Sequence, residues 1–140
     1  MIIKIYPLEL KPIQEFLFEL KLPTKISRAR TNFLNQLQRK GTEIEESRKE
    51  IINQFADKDE EGQVIIKDGA FQFDQEGSNR EQFQAESKIL LDEIVSINLS
   101  EYEEACAILL SYLENDCELE LGGNDAIIFD RICELLEGGN

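Results

Sequence analysis

The stretch Asp57-Lys58-Asp59-Glu60-Glu61-Gly62-Gln63-Val64-Ile65-Ile66-Lys67-Asp68 puts acids at its first, third, fifth and twelfth positions, with Gly62 sixth and Val64 eighth. That is the pattern of an EF-hand loop, in which staggered oxygens wrap a calcium ion and the glycine makes the sharp turn. A calcium loop also needs a helix leaving its far end. Here the chain continues Ala70-Phe71-Gln72-Phe73, so that two β-prone runs flank Asp68-Gly69. Asp-Gly supplies the positive φ that a two-residue hairpin turn requires at both central positions. With that turn Ile66 faces Phe71 and Val64 faces Phe73 on one side of the ribbon, while Ile65, Lys67, Ala70 and Gln72 point to the other. Asp68 is then a turn residue, and it is one methylene shorter than the bidentate Glu a calcium loop uses. The reading is a hairpin over 63–74, with 57–62 as a polar turn leading into it. Calcium binding ranks last among the functions considered. If the apolar face of Val64, Ile66, Phe71 and Phe73 is not packed on the protein's own core, it is a docking surface.

Other chemistry is sparse. The chain has no histidine, which removes Ser-His-Asp and Cys-His catalysis and every His-ligated metal site. No glycine-rich phosphate loop or nucleophile motif occurs. The carboxylate pairs Glu103-Glu104 and Asp57-Asp59 fall on helix caps and turns. Cys106, Cys117 and Cys133 form no CxxC pair, and an odd number without a secretory leader suits reduced thiols in a cytoplasm. No enzyme activity, metal or cofactor is expected. No apolar run approaches a membrane span.

Charge is the strongest compositional signal. The net charge is -14. Residues 1–50 hold ten Lys and Arg against seven Asp and Glu, and residues 51–140 hold five against 22. Such a chain is repelled by nucleic-acid phosphates and anionic lipid, so a charge-selected partner is a basic protein surface. The candidate acidic face is Asp92, Glu93, Glu101, Glu104, Glu114, Asp116, Glu118 and Glu120. The alternative is a solvated face that only keeps the protein soluble. The basic stretch Lys21, Lys25, Arg28, Arg30, Arg39 and Lys40 has no interleaved aromatic and reads as a partner for the acidic half, within one chain or across a dimer. Of Arg28 and Arg30, one is expected to turn toward the core or an acid.

The elements that must carry these residues follow from periodicity. Residues 2–6 read as a strand ended by Pro7, and Pro12 suits a first helical turn, with Ile13, Phe16, Leu17 and Leu20 on one face. Ile26, Phe33, Leu37, Ile44, Ile51 and Phe55 make a heptad-like seam on one long helix over 24–56, with Gly41-Thr42 as a place to kink or restart. Ser78 and Glu81 make a capping box for a second helix carrying Phe83, Leu90 and Ile94, antiparallel to the first. Residues 95–99 read as a strand able to pair with the first. Ser100 and Glu103 box a helix bearing Tyr102, Cys106, Leu109, Leu110 and Leu113. Residues 118–121 alternate, and Asn124 or Asp125 caps a last helix with Ile128, Ile132 and Leu135 or Leu136. The fold expected is α+β and mainly helical: one domain over 1–140, made of a strand and helix (1–23), a long antiparallel helical pair with the hairpin at its tip (24–94), and a strand, two helices and a short extended piece (95–140).

The segments SRARTNFLNQL (27–37), ESRKEIINQFADKDEEGQVIIKDGAFQF (46–73) and ELGGNDAIIFDRICELLE (120–137) resemble small proteins of tailed phages of Gram-positive bacteria and their prophages, grouped as "domain of unknown function 1617". The resemblance spans most of the chain and implies a phage or prophage origin, with action in the cytoplasm of the infected host or in the virion. It implies no activity and carries over no functional residue. Two functions are therefore expected in competition. One is a non-enzymatic protein-binding module, an acidic inhibitor of a host defence or nucleic-acid-binding protein. The other is a virion or tail assembly factor that self-associates or docks through its helical seam and hairpin face.

Overall fold

Alternation decides the first element: Ile3 and Ile5 are buried while Ile2 and Lys4 face outward. In the computed structural model, which describes residues 1–138, the order is β1 (Ile2–Ile5), α1 (Pro7–Glu19), α2 (Thr24–Phe55), β2 (Ile66–Lys67), β3 (Ala70–Phe71), α3 (Asn79–Asp92), β4 (Val95–Asn98), α4 (Glu103–Asn115) and α5 (Gly123–Leu136). A 3-10 turn at Ser100–Tyr102 precedes α4. The fold is α+β and mainly helical, as expected. The chain divides into two compact units, Met1–Gly41 with Ile94–Asn140, and Thr42–Glu93. The division falls inside α2 at Gly41-Thr42, where the sequence marked a kink or restart. The helix nevertheless runs unbroken from Thr24 to Phe55, so the predicted capping box at Thr42 is not used.

In the first unit β1 pairs antiparallel with β4, setting Ile3 opposite Ile97 and Ile5 opposite Val95. Ile3, Ile5 and Ile97 join Leu10, Ile13 and Leu17 of α1, Phe33, Leu34 and Leu37 of α2, Leu109 and Leu113 of α4, and Ile132 and Leu135 of α5 as the buried core. Pro7 does more than end the strand. It is the first residue of α1, where its fixed φ suits the helix and its missing N–H costs nothing. Pro12 lies inside that helix, on its exposed side, rather than in the first turn. The C-terminal end of α1 is closed from outside. Arg30 of α2 donates through Nη1 to the carbonyls of Leu17 (3.0 Å) and Leu20, and through Nη2 to Ser27 Oγ. A cation on the last carbonyls of a helix satisfies acceptors that have no partner within it and opposes the dipole. Arg30 is thus the inward-turned member of the Arg28/Arg30 pair.

Two expected caps are replaced. Glu103 spends its carboxylate on the Met1 ammonium instead of closing a box with Ser100, whose amide bonds Asn98 Oδ1 at 3.0 Å. The last helix starts at Gly123, ahead of Asn124 and Asp125, and Asp125 sits in its first turn. Residues 118–121 form no strand.

The second unit is built around Ile52, Phe55, Ala56 and Phe73, with Ile51, Val64, Phe71 and Phe83 packed on them. β2 and β3 pair around Asp68 (φ 54) and Gly69 (φ 77) with Ile66 opposite Phe71 as expected, but the ladder is shorter than 63–74: it stops at Ile66 and Phe71, and Val64 bridges Lys58 of the preceding loop instead of facing Phe73. Asp57 organises the loop between α2 and the hairpin. It is buried, its Oδ2 accepts from Asp74 N (2.9 Å), and its Oδ1 accepts from Gln75 N (2.8 Å). Asp59 Oδ1 accepts from Glu61 N and Gln63 N, a local turn. The carboxylates at the first and third positions of the calcium-like pattern therefore serve the main chain. Ser78 precedes α3 with no capping hydrogen bond, and Asn79 Nδ2 bonds Phe55 O at the end of α2. The stripe of α3 is only half-buried at Phe83 and Leu90, and no residue of α3 is fully buried.

Two outcomes follow from this packing. Asp57→Ala leaves two partly buried N–H groups without their charged acceptor and should cost about 1–3 kcal/mol, measured by urea denaturation. Calcium at millimolar concentration should leave the parent protein's stability unchanged to within about 0.5 kcal/mol. Gly41 lies in a continuous helix, and a Cβ there would meet Gln14 Nε2 at an ordinary 3.6 Å. Gly41→Ala should therefore raise stability by about 0.5–1 kcal/mol in the same assay.

Candidate functional site

All eight residues of the predicted acidic face are exposed, but they do not form one set. Asp92 and Glu93 end α3 in the second unit, and Asp92 pairs with Lys88 at 3.1 Å. The other six lie in the first unit. Glu101 is in the 3-10 turn, Glu104 in the first turn of α4, Glu114 in its last turn and Asp116 at its C-terminal cap. Glu118 and Glu120 lie on the segment joining α4 to α5.

Three of these six meet the basic stretch. Lys25, Arg28 and Asn32 of α2 line one shallow groove with Glu101, Tyr102, Glu104 and Ile108. An adjoining groove brings Lys25 and Ile26 to Glu104, Ser111 and Asp116. The stretch Lys21–Lys40 thus places two of its cations beside the acids of α4 inside one chain. Glu118 and Glu120 line neither groove.

Glu114 has a different neighbour. It shares a hydrogen bond with Glu137, and that bond, with burial and the like charge of Glu114, raises the Glu137 pKa. The Cys133 thiol close by is pushed up to about 11 by burial and then by Glu114, Glu137 and Asp130. Cys106 is likewise pushed up to about 11, chiefly by burial, and burial raises Cys117 as well. Thiols held this way stay protonated at neutral pH and make poor nucleophiles. Among the described residues, no group of three or more Cys, Asp or Glu is arranged to hold a metal ion.

The predicted hairpin face belongs to the interior of its own unit. Phe73 is buried and stacks on Phe83 at 4.3 Å between ring centroids, and Val64 and Phe71 pack on the same cluster. Only Ile66 stands clear, 62% exposed. Turn chemistry told where the hairpin is. What covers its face depended on Ile52 and Phe55, which reach it from α2.

A third surface was not singled out from the sequence. Between α1 and α5 runs a groove of about 360 Å³ lined by Pro12, Glu15, Phe16, Glu19, Leu20, Asp125 and Ile128. Phe16, Leu20 and Ile128 carry core spacing in the sequence, yet all three are only half-buried. The signal that could have found them is an oversupply of apolar positions: α1 buries Leu10, Ile13 and Leu17 and still carries Leu8, Phe16 and Phe18, with Leu20 at its C-terminal cap.

The thiols give a direct check. At pH 8, iodoacetamide should modify Cys117 well before Cys106 and Cys133, read by peptide mass spectrometry. A thiol whose folded pKa lies above its ordinary 9.0 contributes stability that is complete below pH 9 and lost as pH rises toward 11. Denaturation midpoints should therefore fall across that interval, and less so in Cys133→Ser.

No helix of the described residues is long and apolar enough to cross a membrane. No curated protein and no solved structure matches the chain. One family model does, described as a protein of unknown function, over residues 1–140. The family read from the three sequence segments is the one that matches, and the chain belongs to the DUF1617 family.

Proposed function

We propose that this protein is a non-enzymatic protein-binding module, encoded by a phage or prophage and acting in the cytoplasm of the infected bacterium, where it occupies the basic surface of a host defence or nucleic-acid-binding protein. The observation that carries this reading is the exposed acid at the α4–α5 connection. Glu118 and Glu120 project from the α4–α5 connection next to Asp116, with Glu101 and Glu104 exposed on α4 and the turn before it, in a chain of net charge -14. Carboxylates presented to a basic cleft speed encounter and select the partner, and the interaction weakens with salt. A non-enzymatic role is supported by the protonated thiols and by the structural employment of Asp57, Asp59 and Glu103, the carboxylates that had catalytic or metal-like spacing. The phage setting is supported by the sequence resemblance.

The competing assembly role was to act through the helical seam and the hairpin face, but Phe33, Leu37 and Phe55 of the seam are buried and Phe71, Phe73 and Val64 are engaged in their own core, which leaves that role with less to stand on. Affinity capture from infected cells at low and high salt, read by mass spectrometry, separates the two. Host nucleic-acid-binding or defence proteins should be recovered at low salt and released at high salt. Their recovery should fall about tenfold with Glu118→Lys/Glu120→Lys. Phage structural proteins retained at high salt, with no host protein released, would replace this reading with the assembly role.

A further inference from the structure

Resting on the protein-binding reading above, we propose that the groove between α1 and α5 seats an amphipathic helix of the partner protein, with an apolar stripe flanked by Lys and Arg. The groove has a floor and a rim of different chemistry. Pro12, Phe16, Leu20 and Ile128 supply the floor, and Glu15, Glu19 and Asp125 the rim. Leu8, Pro12, Phe16 and Leu20 follow one another at intervals of four, the ridge along which helices interlock, and Leu8 is 67% exposed at its outer end. Two packed helices with such a ridge present the groove a third helix fills.

The site is built before anything enters it. Phe16 is held edge-on to Phe129, with ring centroids 6.2 Å apart. The α5 helix is fastened to α1 by Arg131 on Glu9 at 2.8 Å. A fixed floor lowers the ordering cost of binding.

The rim selects the occupant. Among the described residues that line the groove are three carboxylates and no cation, and exposed Lys11, next to Pro12, lies 3.9 Å from Glu15. An apolar stripe would cover Phe16, Leu20 and Ile128, and flanking cations would meet Glu15, Glu19 and Asp125. Nucleic acid and anionic lipid bring the wrong charge. A second copy of the chain is poorly suited: its basic stretch lies mostly on α2, whose apolar residues Phe33, Leu34 and Leu37 are buried in its own core.

The probe is a fluorescent synthetic helix with a leucine stripe flanked by lysines, used with the full chain in anisotropy titrations and amide chemical-shift mapping. Binding should move the amides of Phe16, Glu19, Leu20 and Ile128. It should weaken about tenfold or more when the leucines become Gln, when the lysines become Glu, or in Glu19→Lys/Asp125→Lys, and stay unchanged in Glu86→Lys. These substitutions are at exposed positions, and circular dichroism checks that the fold is kept. Shifts confined to Glu101, Glu104 and Asp116 would overturn the groove while leaving the acidic protein-binding reading in place. Absence of binding by the Leu/Lys helix would overturn the groove as well. A dimer in sedimentation that Ile128→Lys dissociates would give the groove to a second copy and overturn the assignment. Failure of the captured partners to respond to salt strikes the broader reading instead.

Discussion

The Glu9 carboxylate holds three elements of the first unit at once. Its Oε2 accepts from Tyr6 N at 2.8 Å and closes the open start of α1, and its Oε1 accepts from Arg131 Nε of α5 at 2.8 Å. The same guanidinium donates through Nη2 to the Lys4 carbonyl of β1 at 3.1 Å. Only the planar fork of Arg reaches a carboxylate and a carbonyl in this way, which is why Lys is no substitute. Burial works against the Arg131 charge, yet Glu9 and Glu134 outweigh it and raise its pKa. Both side chains are mostly shielded from water, so the pair lies between the negligible surface case and the costly buried one, at about 1–2 kcal/mol. Its larger effect is geometric. It fixes α5 against α1, and that spacing is what creates a groove with Phe16 and Ile128 on its floor.

The second unit solves the same problem with a different residue. Asp57 follows α2 and anchors the backbone at Asp74 and Gln75, beyond the hairpin. Arg30 does it again at the end of α1. Each unit is small, and a small unit buries too little apolar surface to hold its loops by packing alone. Charged side chains that satisfy several main-chain groups at once take up that task. The consequence for function is that acids must be sorted by what they touch. Asp57, Asp59, Glu9 and Glu103 are structural; Glu118 and Glu120 face solvent.

Local signals were legible in the sequence, and long-range ones were not. The hairpin turn at Asp68-Gly69 and the length of α2 follow from residue chemistry within a few positions. The pairing of β1 with β4 was foreseeable from two similar strand-and-helix segments, although their register was not. The caps at Ser78 and Ser100 were misread because a Ser-x-x-Glu pattern says nothing of competing partners: Glu103 finds the Met1 ammonium, 102 residues away. Likewise Phe16 and Ile128 have core spacing, but spacing cannot count how many helices are present to cover them. The acidic face was read as continuous because its residues are near in sequence, whereas the unit boundary at Glu93-Ile94 cuts through it.

The placement of the remaining acid is poorly explained by the stability of the chain alone. No helix carries a basic residue in its last turn, where a cation would oppose the dipole. The end of α1 receives one from elsewhere, through Arg30. At the ends of α4 and α5 the sequence instead puts Glu114, Asp116 and Glu137, two of them close enough to share a hydrogen bond. Like charges there repel one another and the helix carbonyls, and a net charge of -14 adds self-repulsion over the whole surface. A solubilising surface would be served by the same acids at helix starts, where the dipole welcomes them. A cationic partner, on the proposed reading, would relieve the acids kept at the unfavourable ends, and that relief would add to its binding. On the proposed reading, the arrangement that weakens the free protein is the one that strengthens the complex.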